Sequence, residues 1–115
     1  MSNISRQEGI TVIEIDAQYD SLDVTKLNEF GDQLLAAAAE AEPPKVLLDM
    51  GRTTFIGSNF LGLLIRAWKR LRDRHGELAL CSVNEVCGEV LRASKLDMIW
   101  QVFPDRGTAV AKLRQ

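Results

Sequence analysis

Residues 46–71 constrain the fold most strongly, because they place a short apolar run, a loop ending on a serine, and a long amphipathic helix in direct succession. The run Val46, Leu47, Leu48 is uninterrupted, which is typical of a strand covered on both faces in a parallel sheet flanked by helices. In the predicted helix, 59–74, apolar residues recur at three- and four-residue spacing. We therefore predict a central strand at 45–50, followed by a helix whose start is marked by Ser58.

Strands and helices alternate on both sides of this unit. β-branched residues predict a hairpin of strands 3–6 and 10–15 that turns at Glu8 and Gly9. A first helix, 24–41, has Asp23 as its cap and ends before Pro43 and Pro44. Further strands are predicted at 78–83 and 99–103, and further helices at 85–94 and 104–113. With right-handed crossovers this order gives a single α/β domain over residues 1–115, with a mixed, mostly parallel sheet of four to five strands and about four helices.

Smaller signals predict how three helices begin, end or pack. Asn84 is expected to cap the helix that follows it, because its short side chain can accept from free backbone amides. Gly76 is expected to take the left-handed conformation that ends the helix at 59–74. In the helix at 85–94, the residues expected to face inward are Val86, Val90 and Leu91.

Charge and cysteine content exclude several classes of protein. Sixteen acidic and fourteen basic residues give a net charge of −2, which argues against nucleic acid or an anionic membrane as the main partner. The basic residues on the predicted second helix, Arg66, Lys69, Arg70, Arg72 and Arg74, are interpreted as a solvated face. Two cysteines without neighbouring histidines indicate reduced thiols, and neither a signal peptide nor a membrane span is visible. We expect a cytoplasmic protein without membrane insertion.

An enzyme built around Ser58 is disfavoured by its neighbours. A serine nucleophile at a strand-to-helix elbow needs a second glycine, and this chain has Phe60 there. The single histidine, His75, lies at the other end of the same predicted helix, about 25 Å away at 1.5 Å per residue. No phosphate-binding glycine pattern is present. The acidic residues Glu14, Asp16, Asp20 and Asp23 match no calcium loop and fit a polar capping loop better. We predict no catalytic residue, no metal and no cofactor.

Two interpretations of Ser58 remain open from local chemistry. As a helix N-cap it would contribute about 1 kcal/mol and have no further role. As an acceptor of phosphate it would gain about 1.5 to 2 negative charges beside the free amides of the helix start, which the fold would tolerate and an apolar or acidic partner would not. Phe60 is equally open, either tucked against the following strand or exposed for a partner.

Several segments resemble the STAS domain of anti-sigma factor antagonists. The resemblance begins in the strand of Val46, Leu47, Leu48 and Asp49 and runs through Phe55, Ile56, Gly57, Ser58, Leu61 and Gly62. It continues in 78–81, 90–96, 102–105 and 109–113, and upstream it includes Tyr19, Asp20 and Leu27. The motifs are loose apolar patterns, but nearly the whole chain is covered in the right order.

The resemblance implies a domain that binds an anti-sigma factor, often a serine kinase, and thereby frees a sigma factor while it is unphosphorylated. Ser58 falls on the position that such a kinase phosphorylates, so the resemblance implies a phosphoacceptor there. The implied partner-binding residues are Asp20, Ser21, Leu22, Gly57, Ser58, Asn59 and Phe60. Gly57 and Phe60 depart from the family, which has an acidic residue before the acceptor and a glycine two positions after it.

A second hypothesis is a constitutive STAS adaptor subunit of a transporter or of a stress-signalling complex. It is motivated by the same two departures, at Gly57 and Phe60. A small-molecule or nucleotide site is a weaker third option, since no glycine-rich or basic cradle is visible.

Overall fold

The structure, a computed structural model, describes residues 2–15, 24–53 and 56–114. It opens with an antiparallel hairpin of β1 (Ser2–Gln7) and β2 (Ile10–Ile15). The two turn residues, Glu8 and Gly9, have φ values of 53° and 86°. Positive φ at both positions gives the twist that joins antiparallel strands through two residues. The predicted hairpin and its turn are confirmed.

The sheet has five strands in the order β1-β2-β3-β4-β5, where β3 is Lys45–Asp49, β4 is Glu77–Cys81 and β5 is Gln101–Phe103. Strands β2 to β5 are parallel and only β1 is antiparallel. The helices between them are α1 (Val24–Glu40), α2 (Ser58–Asp73) and α3 (Glu85–Ala93), and α4 (Arg106–Leu113) follows β5. A short 3-10 helix, Leu96–Met98, precedes β5. The predicted α/β class, mixed sheet and central strand are confirmed.

Helices cover both faces of the sheet. Because the parallel strands are added in one direction by right-handed crossovers, α1, α2 and α3 fall on the same face. α4 packs on the other face through Ala109, Val110 and Leu113. The apolar run in β3 is explained by this arrangement, since Val46 and Leu48 point to the three helices and Leu47 points to α4.

The end of α2 differs from the prediction. His75, and not Gly76, takes the left-handed conformation, with φ of 60°. The Gly76 amide donates to Leu71 O at 2.7 Å and the His75 amide to Arg72 O at 3.0 Å, which is the Schellman pattern. The glycine is needed for space, because a Cβ on Gly76 would lie 2.1 Å from the carbonyl oxygen of Pro44. The predicted role of Gly76 is wrong.

The packing of α3 was predicted only in part. Its buried residues are Cys87 and Leu91, which lie four positions apart on one stripe. Val90 is half-buried, whereas Val86 is 53% exposed, so the prediction that Val86 faces inward is wrong. The helix α3 has nine residues and only a narrow buried stripe, so Val86, next to Cys87, is left facing solvent.

Candidate functional site

The candidate site lies where the chain leaves the central strand and enters α2. The residue that caps α2 is Gly57, with extended backbone at φ −105° and ψ 177°, and it supplies no side-chain hydrogen bond. Ser58 is the first helical residue and is exposed. The interpretation of Ser58 as the N-cap is therefore wrong, because the capping position belongs to the glycine before it.

The first turn of α2 has a local electrostatic character that suits an anion. Ser58 begins the helix, and no acidic residue occurs in its first turn. Free amides and the helix dipole make such a position favourable for negative charge, by about 0.3–1 kcal/mol when exposed. A phosphate on the Ser58 hydroxyl would thus meet no like charge within that turn. His75 lies beyond the last residue of the same helix, so this histidine is not positioned as a base for Ser58.

Phe60 is part of the core, so the interpretation that it is exposed for a partner is wrong. Its side chain is 1% exposed and stacks on Phe30 of α1, with ring centroids 5.3 Å apart and an interplanar angle of 6°. Next to this pair, α1 and α2 approach closely at Gly31, where a Cβ would lie 2.8 Å from Leu63 Cδ2. The aromatic residue that replaces the family's glycine packs the start of α2 against α1.

The loop between β3 and α2 is held at its first half by Asp49. One carboxylate oxygen, Oδ1, accepts from the Gly51 amide at 3.0 Å, and the other, Oδ2, accepts from Arg106 Nε at 2.8 Å. Arg106 also donates to Glu14 Oε2 at 2.5 Å, so one guanidinium joins β2, β3 and α4. Partial burial opposes the charge of Arg106, but the hydrogen bonds to both carboxylates raise the pKa of the guanidinium above its usual value.

The same loop is held at Thr53 by Asn84. Asn84 Oδ1 accepts from the Cys87 amide at 2.8 Å, which confirms the predicted cap of α3. Its amide nitrogen Nδ2 donates to the carbonyl oxygen of Thr53 at 3.2 Å. This second bond was not foreseen, because sequence spacing indicates a cap but gives no information about which distant backbone group the other side-chain atom reaches.

A groove borders the start of α2 on its α1 side. It has a volume of about 280 Å³ and is lined by Leu27, Asn28, Asn59, Leu63 and Arg66. Asn59, one of the predicted contact residues, is exposed here, and Gly57 is half-buried. Asn28 and Arg66 line the groove but were not predicted from the sequence as site residues. The remaining predicted contacts, Asp20, Ser21 and Leu22, lie outside the described residues.

Comparison with known proteins assigns the family. The family model for the STAS domain matches residues 2–109 of this sequence. The chain belongs to the STAS domain family. It is 34% identical over 80 residues to BtrV of Bordetella bronchiseptica, a protein assigned by name to the anti-sigma factor antagonists, and this match covers 70% of the chain and 69% of BtrV.

Solved structures agree with this assignment. A STAS domain protein of Planctomyces limnophilus, described as an anti-sigma factor antagonist, superposes with a TM-score of 0.87 at 30% identity, covering 99% of this chain and 98% of that one. The anti-sigma factor antagonist SpoIIAA in its unphosphorylated form superposes with a TM-score of 0.82 at 16% identity, covering 99% and 96% of the two chains. The predicted family is confirmed, and the SpoIIAA match supports the fold alone.

Two further observations concern metal binding and membrane insertion. Within 2–15, 24–53 and 56–114, no group of three or more acidic, histidine or cysteine side chains is arranged to hold a metal. In the same ranges, no helix has the length and apolar character needed to cross a membrane.

Proposed function

We propose that this STAS domain, acting as a unit of residues 1–115, is an anti-sigma factor antagonist that works by partner switching. Unphosphorylated, it binds an anti-sigma factor that is also a serine kinase, and phosphorylation of Ser58 by that kinase releases it. The anti-sigma factor as partner class is taken from the relatives, since BtrV and the Planctomyces limnophilus protein are both named anti-sigma factor antagonists. The domain itself supplies no catalytic residue in this scheme.

The observation that carries the proposal is the placement of Ser58. Its side chain is exposed on the first residue of a helix whose start is fixed by the buried Phe60 and Phe30 stack. A phosphate added there would face solvent and the amide end of the helix, so the fold would accept it. The same charge would lie within the interface of any partner that binds at the start of α2. Binding is thus sensitive to a modification that leaves the fold intact.

The proposed contact surface consists of Gly57, Ser58 and Asn59 together with the groove bordered by Asn28 and Arg66. Asp20, Ser21 and Leu22 are included as a proposal from the sequence. Phe60 is removed from the surface because it is buried. Loss of the family's glycine at this position therefore does not argue against recognition by a kinase, whereas Gly57 still lacks the acidic side chain that the family carries.

Phosphorylation is tested directly. The full chain is incubated with ATP and each anti-sigma kinase encoded in the genome of its source, and the site is mapped by mass spectrometry. We expect phosphate on Ser58 in the wild type and none in Ser58→Ala, which retains the helix start because the cap is Gly57. If every kinase leaves Ser58 unmodified, the switch is wrong.

Release is tested by measuring the affinity of Ser58→Asp for the same kinase. Burying an uncompensated negative charge at an interface costs at least about 1.4 kcal/mol, so the dissociation constant should rise about tenfold or more. Ser94→Asp is the matched control. It makes the same change at an exposed serine, the C-cap of α3, which is not part of the proposed contact surface. Equal affinity of Ser58→Asp and wild type would refute the electrostatic switch.

The alternative proposal, a constitutive STAS adaptor, makes the opposite prediction for the same pair of variants. The specific observation in its favour is Gly57, which provides neither the family's acidic residue nor a side-chain cap. An adaptor would retain its partner in Ser58→Asp and would carry no phosphate when isolated from its native cells.

A further inference from the structure

Asn84 links the loop that precedes Ser58 to the start of α3. It follows β4, starts α3, and makes one hydrogen bond in each direction through different atoms of the same amide. The oxygen Oδ1 accepts from the Cys87 amide of α3 at 2.8 Å, and the nitrogen Nδ2 donates to Thr53 O in the loop before Ser58 at 3.2 Å. The thiol of Cys87 lies 3.9 Å from the same Thr53 oxygen.

Thr53 is buried, although the two residues before it in this loop are not. It is 2% exposed, whereas Gly51 and Arg52 before it are exposed. Its amide donates to Met50 O at 3.1 Å, so both backbone groups of Thr53 are bonded. The Thr53 carbonyl accepts from the Asn84 amide and, more weakly, from the Cys87 thiol. Loss of the Asn84 donor would leave the weaker thiol, so the bond from Asn84 holds Thr53 to the start of α3.

We propose that Asn84 is a positioning residue for the Ser58 site: it locks the β3–α2 loop onto α3, and the locked loop is the conformation that the kinase recognises. This inference rests on the proposed function. Asn84 does not contact the Ser58 hydroxyl in this scheme. It acts by holding Thr53 in place on the amino-terminal side of Ser58, so that less conformational freedom is lost at Thr53 when a partner binds.

The two bonds of Asn84 can be separated by substitution. Asn84→Asp keeps an oxygen that caps α3 and removes the N–H donor to Thr53. Asn84→Ser keeps a good cap without adding charge, so a result shared by both variants is not an effect of the new carboxylate. Asn84→Ala removes the cap and the loop bond together. All three are made in the full chain.

Backbone hydrogen exchange followed by NMR can monitor the loop bond to Thr53 and the cap bond to Cys87 separately, through the exchange rates of two amides. The Thr53 amide reports the loop, and the Cys87 amide reports the cap. In Asn84→Asp and Asn84→Ser we expect Thr53 to exchange about fivefold faster, the change expected for one hydrogen bond, with Cys87 unchanged. In Asn84→Ala both amides should exchange faster. If Thr53 exchange is unchanged in the Asp and Ser variants, Asn84 does not hold the loop and the proposal is wrong.

The functional part is tested by steady-state phosphorylation of Ser58. A loosened loop weakens recognition, so we expect KM for Asn84→Asp and Asn84→Ser to rise about fivefold with kcat unchanged. A purely structural role would leave KM at its wild-type value as long as the variants remain folded, and this result would overturn the proposal. If wild type itself is not phosphorylated, the proposed function fails, and with it the recognition role of Asn84. The exchange data would then still decide whether Asn84 holds the loop.

Discussion

Replacing Phe60 by alanine tests whether this residue belongs to the core or to the binding surface. Phe60 is 1% exposed and is stacked on Phe30 at 5.3 Å, so alanine would leave a cavity between α1 and α2. Phe→Ala changes in cores cost about 3–5 kcal/mol, and we expect about 4 kcal/mol here because the stacking is lost as well. Against a total stability of about 5–15 kcal/mol, this is a large fraction. The melting temperature should fall by about 15 °C or more.

The measurement is urea unfolding followed by circular dichroism, with the slope m fitted for each variant so that a change in midpoint can be converted to free energy. Val86→Ala is the matched control, because Val86 is an apolar side chain that is 53% exposed, and its truncation should change stability by less than about 0.5 kcal/mol. A Phe30→Leu, Phe60→Leu double-mutant cycle should give a coupling of about 0.5–1.5 kcal/mol for the ring pair. A loss below about 1 kcal/mol in Phe60→Ala, accompanied by weaker partner binding, would show that Phe60 is a surface residue and that the reasoning is wrong.

Two further predictions concern other parts of the fold. Burial, followed by the charge of Asp49, raises the pKa of Cys81 to about 11, and burial also raises the pKa of Cys87, so both thiols stay protonated at pH 8. Iodoacetamide should therefore label neither cysteine of the native protein at this pH and both in urea, as counted by mass spectrometry. Rapid native labelling of Cys81 would contradict its buried position. Gly76→Ala should destabilise the domain by about 2 kcal/mol or more in the same unfolding assay, because its Cβ would meet the Pro44 carbonyl at 2.1 Å and neither backbone can yield easily. Gly62→Ala, with open space around the new Cβ, is the control and should be neutral or slightly stabilising.

The periodicity of apolar residues predicted most of the fold. The run in β3 identified a strand buried on both faces, and the three- and four-residue spacing in α2 identified its buried stripe. Both signals are strong because each follows from repeated contacts over a whole element. Predicted element boundaries agree with the structure to within about two residues, the usual disagreement at helix and strand ends.

Predictions for single residues at element ends were less successful. Gly76 and Val86 were each assigned a role from their type, and both roles were wrong. For Phe60 the sequence left a buried and an exposed position open, and the structure shows the buried one. The reason is that a glycine, a valine or a phenylalanine is compatible with several local environments, and the choice depends on what lies opposite. The carbonyl oxygen of Pro44 leaves no space for a side chain at Gly76. The Phe30 ring supplies a buried partner for Phe60, and Val86 faces solvent.

The sequence by itself determined the class of this protein, because alternating apolar patterns and proline, glycine and asparagine signals act locally and can be read from neighbouring positions. It also selected Ser58, since a serine just after a buried strand and before an amphipathic helix is visible without coordinates. Only the tertiary structure decided the character of the site. Gly57 caps the helix, Phe60 is buried, and Asn84 reaches Thr53 from thirty-one positions away, because such pairings join segments that are distant in the chain.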